Sequence, residues 1–84
     1  MTLKCFNLDI ISPIAKESLN VLWVEIESPT GSFLVGIDHC PLISLIKQKS
    51  TIFYKTATEE VSRKLHSGGI FQVEDNKAQI ILEQ

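Results

Sequence analysis

The chain has 84 residues, 44% of them apolar, and a formal net charge of -2 at pH 7. At this length residues 1–84 are expected to form one domain that buries roughly 60–65% of its unfolded surface, which leaves a thin stability margin. No Lys/Arg run exceeds Arg63-Lys64, which argues against nucleic-acid binding. No apolar stretch nears the roughly 20 residues that cross a bilayer, and the N-terminus lacks the pattern of a signal peptide, so the chain reads as soluble and cytoplasmic.

In chain order, Lys4 to Ile10 alternates, with Phe6, Leu8 and Ile10 on one face and Cys5, Asn7 and Asp9 on the other, the pattern of a half-buried strand. Ser12-Pro13 ends it, because proline donates no ladder hydrogen bond. Alternation returns from Val21 to Glu27, predicting a strand with Leu22, Val24 and Ile26 inward and Trp23, Glu25 and Glu27 outward. Ser28-Pro29-Thr30-Gly31 supplies a turn, and Phe33-Leu34-Val35 is an apolar run that Gly36 interrupts.

Pro41 precedes the run Leu42-Ile43-Ser44-Leu45-Ile46, and Thr51-Ile52-Phe53-Tyr54 is β-branched and aromatic. Residues 58–66 send two messages. Thr56-Ala57-Thr58-Glu59 resembles a capping box and Val61 and Leu65 are four apart, as in a helix, yet the same two residues fit one face of a strand. At the end, Ile70 to Val73 and Ala78 to Leu82 flank the polar Glu74-Asp75-Asn76-Lys77, a terminal hairpin. Seven or eight short strands imply a sandwich.

Little in the chain promises chemistry. Cys5 and Cys40 lack CxxC spacing and are read as buried small apolar residues rather than a bridge. His39 and Cys40 are adjacent, so on a strand they face opposite ways and cannot act as base and nucleophile. With His66 and Cys5 they form no paired zinc motif, and His39 reads as a loop residue bonded to backbone. Glu25-Glu27 and Glu59-Glu60 sit in no evident apolar pocket and read as solvated. Gly68-Gly69 is too short to cradle phosphate and is assigned to a turn of positive φ. Neither catalytic, metal nor cofactor residues are assigned. Trp23, on a polar strand face, is either an anchor for a protein partner or packs beneath a loop.

Gly31-Ser32-Phe33 followed by His39-Cys40-Pro41-Leu42-Ile43, then Ser67-Gly68-Gly69-Ile70-Phe71-Gln72-Val73 with Asn76 and a closing Ile80-Ile81-Leu82, resembles the N-terminal domain of the epsilon subunit of F-type ATP synthases, the delta-type subunit of mitochondria. The spacing of the two blocks is close to the family's, and Ile46-Lys47 falls where relatives often carry the same pair. The resemblance covers essentially the whole chain. It implies an all-β fold, a flattened β-sandwich of about ten short, mainly antiparallel strands that hides most strand edges. It resolves 58–66 as a strand.

The implied function is a non-catalytic central-stalk subunit that bridges the gamma subunit and the membrane c-ring during proton-driven ATP synthesis, at the inner face of the cell membrane and without a cofactor. On this resemblance the Gly31-Ser32 turn faces the c-ring, and His39, Pro41 and Leu42 lie near gamma. The chain departs from the pattern at Leu34, at Gly36-Ile37-Asp38 where relatives have Leu-Pro-Gly, at Gln48-Lys49 where they have Pro-Gly, and at Ser32, often acidic. Gln84 closes the sequence without the C-terminal helical hairpin of most bacterial relatives, so inhibition and nucleotide binding are not carried over. The alternative is a stand-alone interaction module that kept the sandwich but lost its rotor contacts. A cysteine- or zinc-dependent enzyme using His39, Cys40 or His66 is the third.

Overall fold

A computed structural model describes residues 4–84. The expectation that no leader precedes the domain concerns, in part, the first three residues and so lies outside it. Nine strands run along the described chain: β1 (Phe6–Ile11), β2 (Lys16–Val21), β3 (Trp23–Ser28), β4 (Gly31–Gly36), β5 (Leu42–Ile46), β6 (Thr51–Lys55), β7 (Glu60–Lys64), β8 (Gly69–Glu74) and β9 (Lys77–Leu82). They form a five-stranded sheet, β2-β1-β9-β8-β5, and a four-stranded sheet, β4-β3-β6-β7. The fold is an all-β flattened sandwich, and every ladder is antiparallel except β1 with β9.

Period-two alternation decides what enters the core. Phe6, Leu8 and Ile10 of β1 meet Val24 and Ile26 of β3, Ile52 and Tyr54 of β6, Phe71 and Val73 of β8, and Ala78 and Ile80 of β9, all buried. Phe33 and Phe71 join the two sheets through tilted rings with centroids 5.9 Å apart. At one side the sandwich is closed by charge: Arg63 of β7 donates to Glu17 of β2 at 2.6 Å, stacking the two outer strands. Both side chains are exposed, so the pair positions these edges more than it stabilises them.

Several expectations change. The strand drawn from Val21 to Glu27 is two strands in different sheets. Val21 ends β2, Leu22 sits at the bend, and Leu22 N donates to Lys55 O at 2.6 Å. β2 itself has no alternating signal of its own, and pairing with β1 creates it. The first strand starts at Phe6 rather than Lys4 and reaches Ile11. Cys5 and Cys40 are free and exposed, not buried, because one precedes β1 and the other lies in the β4–β5 connection.

Of the strand expected over 58–66, residues 60–64 are strand and 58–59 and 65–66 are not, and the capping-box signal is real but serves a hairpin. Thr56 Oγ1 accepts from Glu59 N at 3.2 Å and Thr56 N donates to Glu59 O at 2.9 Å, which closes the turn between β6 and β7. Gly68-Gly69 does not adopt positive φ. Gly69 is needed for close approach instead, since a Cβ there would stand 2.0 Å from Ile81 O across the β8–β9 ladder.

Candidate partner-contact surfaces

The β4–β5 side of the sandwich contrasts with the charged β2–β7 side. β4 (GSFLVG) and β5 (LISLI) are outer strands of their sheets and contain no charged residue. Outer strands of soluble proteins are commonly protected by lysine, proline or bulges, and the free backbone of an unprotected one is open to pairing. Along β5, Leu42 and Ile46 turn toward the core while Ile43 and Leu45 are 74% and 64% exposed. The register sets Leu45 beside Ile70, Ile70 beside Ile81 and Ile81 beside Ile11, so one apolar row crosses the outer face of four strands.

The six candidate residues fall in three places. Gly31 and Ser32 begin β4, where Ser28 Oγ donates to Gly31 O at 2.7 Å and Gly31 adopts φ 139°. His39 and Pro41 lie beyond the other end of β4, about 16 Å away for a six-residue strand, in the connection that passes to β5, and Leu42 is the first residue of β5. Trp23 is half-buried on the outer face of the four-stranded sheet, paired with Gly36 and Lys55. The structure groups His39, Pro41 and Leu42 and separates the other three from them. Ile43 and Leu45 are the exposed residues that the sequence reading missed. The one polar residue of their run, Ser44, shares the face of Leu42 and Ile46 that turns to the core, so periodicity did not mark Ile43 and Leu45 as outward.

The connection is held in place. His39 Nδ1 lies 2.8 Å from Cys40 O, and since a carbonyl only accepts, Nδ1 carries the proton. Asp38 and Lys49, where the resemblance has glycine, both take left-handed backbone at φ 60° and 63°. Both positions therefore carry a side chain on backbone that glycine adopts with least strain.

The outer face of the five-stranded sheet also holds Asp9. Ser18 Oγ donates to its Oδ1 at 2.6 Å, Asn7 Nδ2 donates to the same oxygen at 2.9 Å, and Lys16 Nζ lies 3.8 Å from Oδ2. These donors, the Ser18 hydroxyl foremost, hold the carboxyl below its ordinary value of 3.8 against the opposing effect of burial. Among the described residues no group of three His, Cys, Asp or Glu could hold a metal ion.

These features define a small all-β sandwich whose distinguishing surfaces are two uncharged outer strands and an exposed apolar row. No family model and no curated protein matches the chain. Among solved structures it is similar to a chain from the cryo-EM structure of the Tetrahymena thermophila mitochondrial ATP synthase, central stalk/c-ring, with a TM-score of 0.78 and 14% identity. The match covers 100% of this chain and 67% of that one. At that identity the likeness is one of fold.

Proposed function

We propose that this chain is a non-catalytic central-stalk subunit of a rotary F-type ATP synthase, an epsilon-type β-sandwich that bridges the gamma subunit and the membrane c-ring during proton-driven synthesis. The observation that carries this proposal is a fold likeness extending over 100% of the chain to a chain of a stalk and ring assembly. The epsilon-like motifs Gly31-Ser32-Phe33, His39-Cys40-Pro41-Leu42 and Ser67-Gly68-Gly69 fall at the start of β4, in the β4–β5 connection and at the start of β8.

In this proposal gamma covers the β5 edge, where Ile43 and Leu45 continue the His39 to Leu42 stretch, while the Gly31-Ser32 turn points to the ring. The exposed apolar side chains of β5 would become the dry centre of an interface with a polar rim. The chain would then reside at the inner face of the coupling membrane through its complex alone.

The test is titration of the chain against the gamma subunit of its own organism by calorimetry. One-to-one binding that weakens at least ten-fold in Ile43→Lys, on the order of 1.4 kcal/mol, supports the stalk role. Absence of binding at tens of micromolar removes it. The loops at Asp38 and Lys49 favour a second reading, a stand-alone interaction module, since left-handed non-glycine residues reshape the surface beside that edge. Capture of a partner unrelated to ATP synthase through β5 would establish the module.

A further inference from the structure

We infer that the outer face of the four-stranded sheet is a receptor for a basic side chain, an arginine presented by a partner polypeptide. This surface belongs to the sheet opposite the one that holds β5, and the inference stands whether or not the rotor proposal is right.

The register builds the receptor from residues far apart in sequence. Trp23 pairs with Lys55 and Lys55 with Glu60, while in the next outward row Glu25 pairs with Phe53 and Phe53 with Ser62. Trp23 and Phe53 are thereby diagonal neighbours, and with Glu60, Val61 and Ser62 they line a pocket of about 250 Å³. That volume is below the roughly 300 Å³ at which small-molecule sites begin, and it suits one side chain. Phe53 is 42% exposed. Gly36 stands opposite Trp23, and a Cβ there would meet nothing within 4 Å, so no side chain at that position covers the indole.

Charge selects the occupant. Glu60 lines the pocket, Glu25 borders it beside Phe53, and Glu27 follows two residues along the same face. The salt bridges among the described residues are Lys16–Asp9 and Arg63–Glu17, so none of these three carboxylates is in one, and the cation nearest in register is Lys55, opposite Glu60. Aromatic faces attract cations and carboxylates accept their hydrogen bonds, whereas an anion is repelled and an aliphatic group would leave carboxylates desolvated. A guanidinium stacks on rings while its fork reaches a carboxylate, which a compact, strongly hydrated ammonium does less well. Lys55 stands in register between Trp23 and Glu60, makes no salt bridge to Glu60 or Glu25, and competes with any incoming cation.

Trp23 is the chain's single tryptophan, so its fluorescence reports the site directly. The folded chain is titrated at low salt with acetyl-glycyl-arginyl-glycyl-arginyl-glycine amide, and with the same peptide carrying uncharged citrulline. A saturable change with the arginine peptide alone is expected. It should weaken roughly five-fold or more in Glu60→Gln and in Phe53→Ser, and again in 0.5 M salt on the order of the Debye screening there. Lys55→Met should tighten binding, an outcome that no loss of folding can imitate. Equal response to citrulline, no saturable change up to about 10 mM (a limit near -3 kcal/mol), or identical affinity in all three variants would overturn the inference. So would a peptide-independent fluorescence change that tracks dimer formation in sedimentation, which would assign the face to a second copy of the chain.

Discussion

Asp38 and Asn76, 38 residues apart in sequence, hold each other by two reciprocal hydrogen bonds: Asp38 N donates to Asn76 Oδ1 at 2.7 Å and Asn76 Nδ2 donates to Asp38 Oδ1 at 3.0 Å. Both residues have left-handed backbone, φ 60° and 59°. The pair fastens the β4–β5 connection, which carries His39 and Pro41, to the tip of the β8–β9 hairpin. Asn76→Gly keeps a residue suited to the turn and removes only the clasp, so a loss of about 1–2 kcal/mol is expected in urea unfolding. Asn76→Ala also strains the turn and should cost about 1 kcal/mol more. No loss in Asn76→Gly would mean that the clasp contributes nothing, and equal losses in the two variants would mean that alanine adds no strain to the turn.

Three glycines should respond to alanine in three ways. Gly69→Ala drives a methyl into Ile81 O and should cost about 3 kcal/mol, enough to unfold much of a chain with so thin a margin. Gly31→Ala meets no atom within 4 Å but must hold φ 139°, a cost of about 1–3 kcal/mol from backbone strain. Gly36→Ala meets neither obstacle and should be neutral or stabilising by up to about 1 kcal/mol through the unfolded state. Thermal melts of the three variants give the order directly.

Lys49 tests the same physics in reverse. Its φ of 63° costs a non-glycine residue about 1–2 kcal/mol, and glycine recovers this less about 0.5–1 kcal/mol of extra chain entropy. Lys49→Gly should therefore raise Tm by roughly 2–4 °C in a domain of this size. A lower Tm would show that the lysine side chain makes a compensating contribution.

Acid stability depends on Asp9. Its folded pKa is lowered, first by the Ser18 hydroxyl and then by Asn7, against burial, with Lys16 and Lys77 adding to the lowering. The unfolded carboxyl therefore binds its proton first as pH falls. Asp9 contributes its full stabilisation above about the ordinary value of 3.8 and loses it as pH drops through the lower folded pKa. In Ser18→Ala the Asp9 titration followed by NMR should move upward, and melts from pH 7 to pH 2 should show reduced stability at neutral pH with a shallower acid limb. An unshifted titration would assign the lowering to the other donors.

Much of the molecule is legible locally. Alternation in Phe6-Asn7-Leu8-Asp9-Ile10 and Trp23-Val24-Glu25-Ile26 assigns inward and outward faces correctly, because side chains on a strand alternate whatever its neighbours are. The turn residues Ser28 to Gly31 and Glu74 to Lys77 likewise mark hairpins from their own conformational preferences. Thr56 shows where local information stops. A threonine oxygen accepting the amide three residues on occurs at a helix start and in a hairpin turn alike, so only the pairing of Thr51–Lys55 with Glu60–Lys64 selects the strand.

Sequence by itself determined the all-β class, the faces of the clearest strands and the positions of their turns, since these follow from interactions a few residues long. Tertiary structure decided that β1 lies parallel to β9, that the chain changes sheets at Leu22, that β5 is left at an edge with Ile43 and Leu45 exposed, and that Trp23 lines one pocket with Phe53 and Glu60. Each of these depends on which strands become neighbours, and that choice is made by closing long loops around one shared core rather than by any residue's own preference.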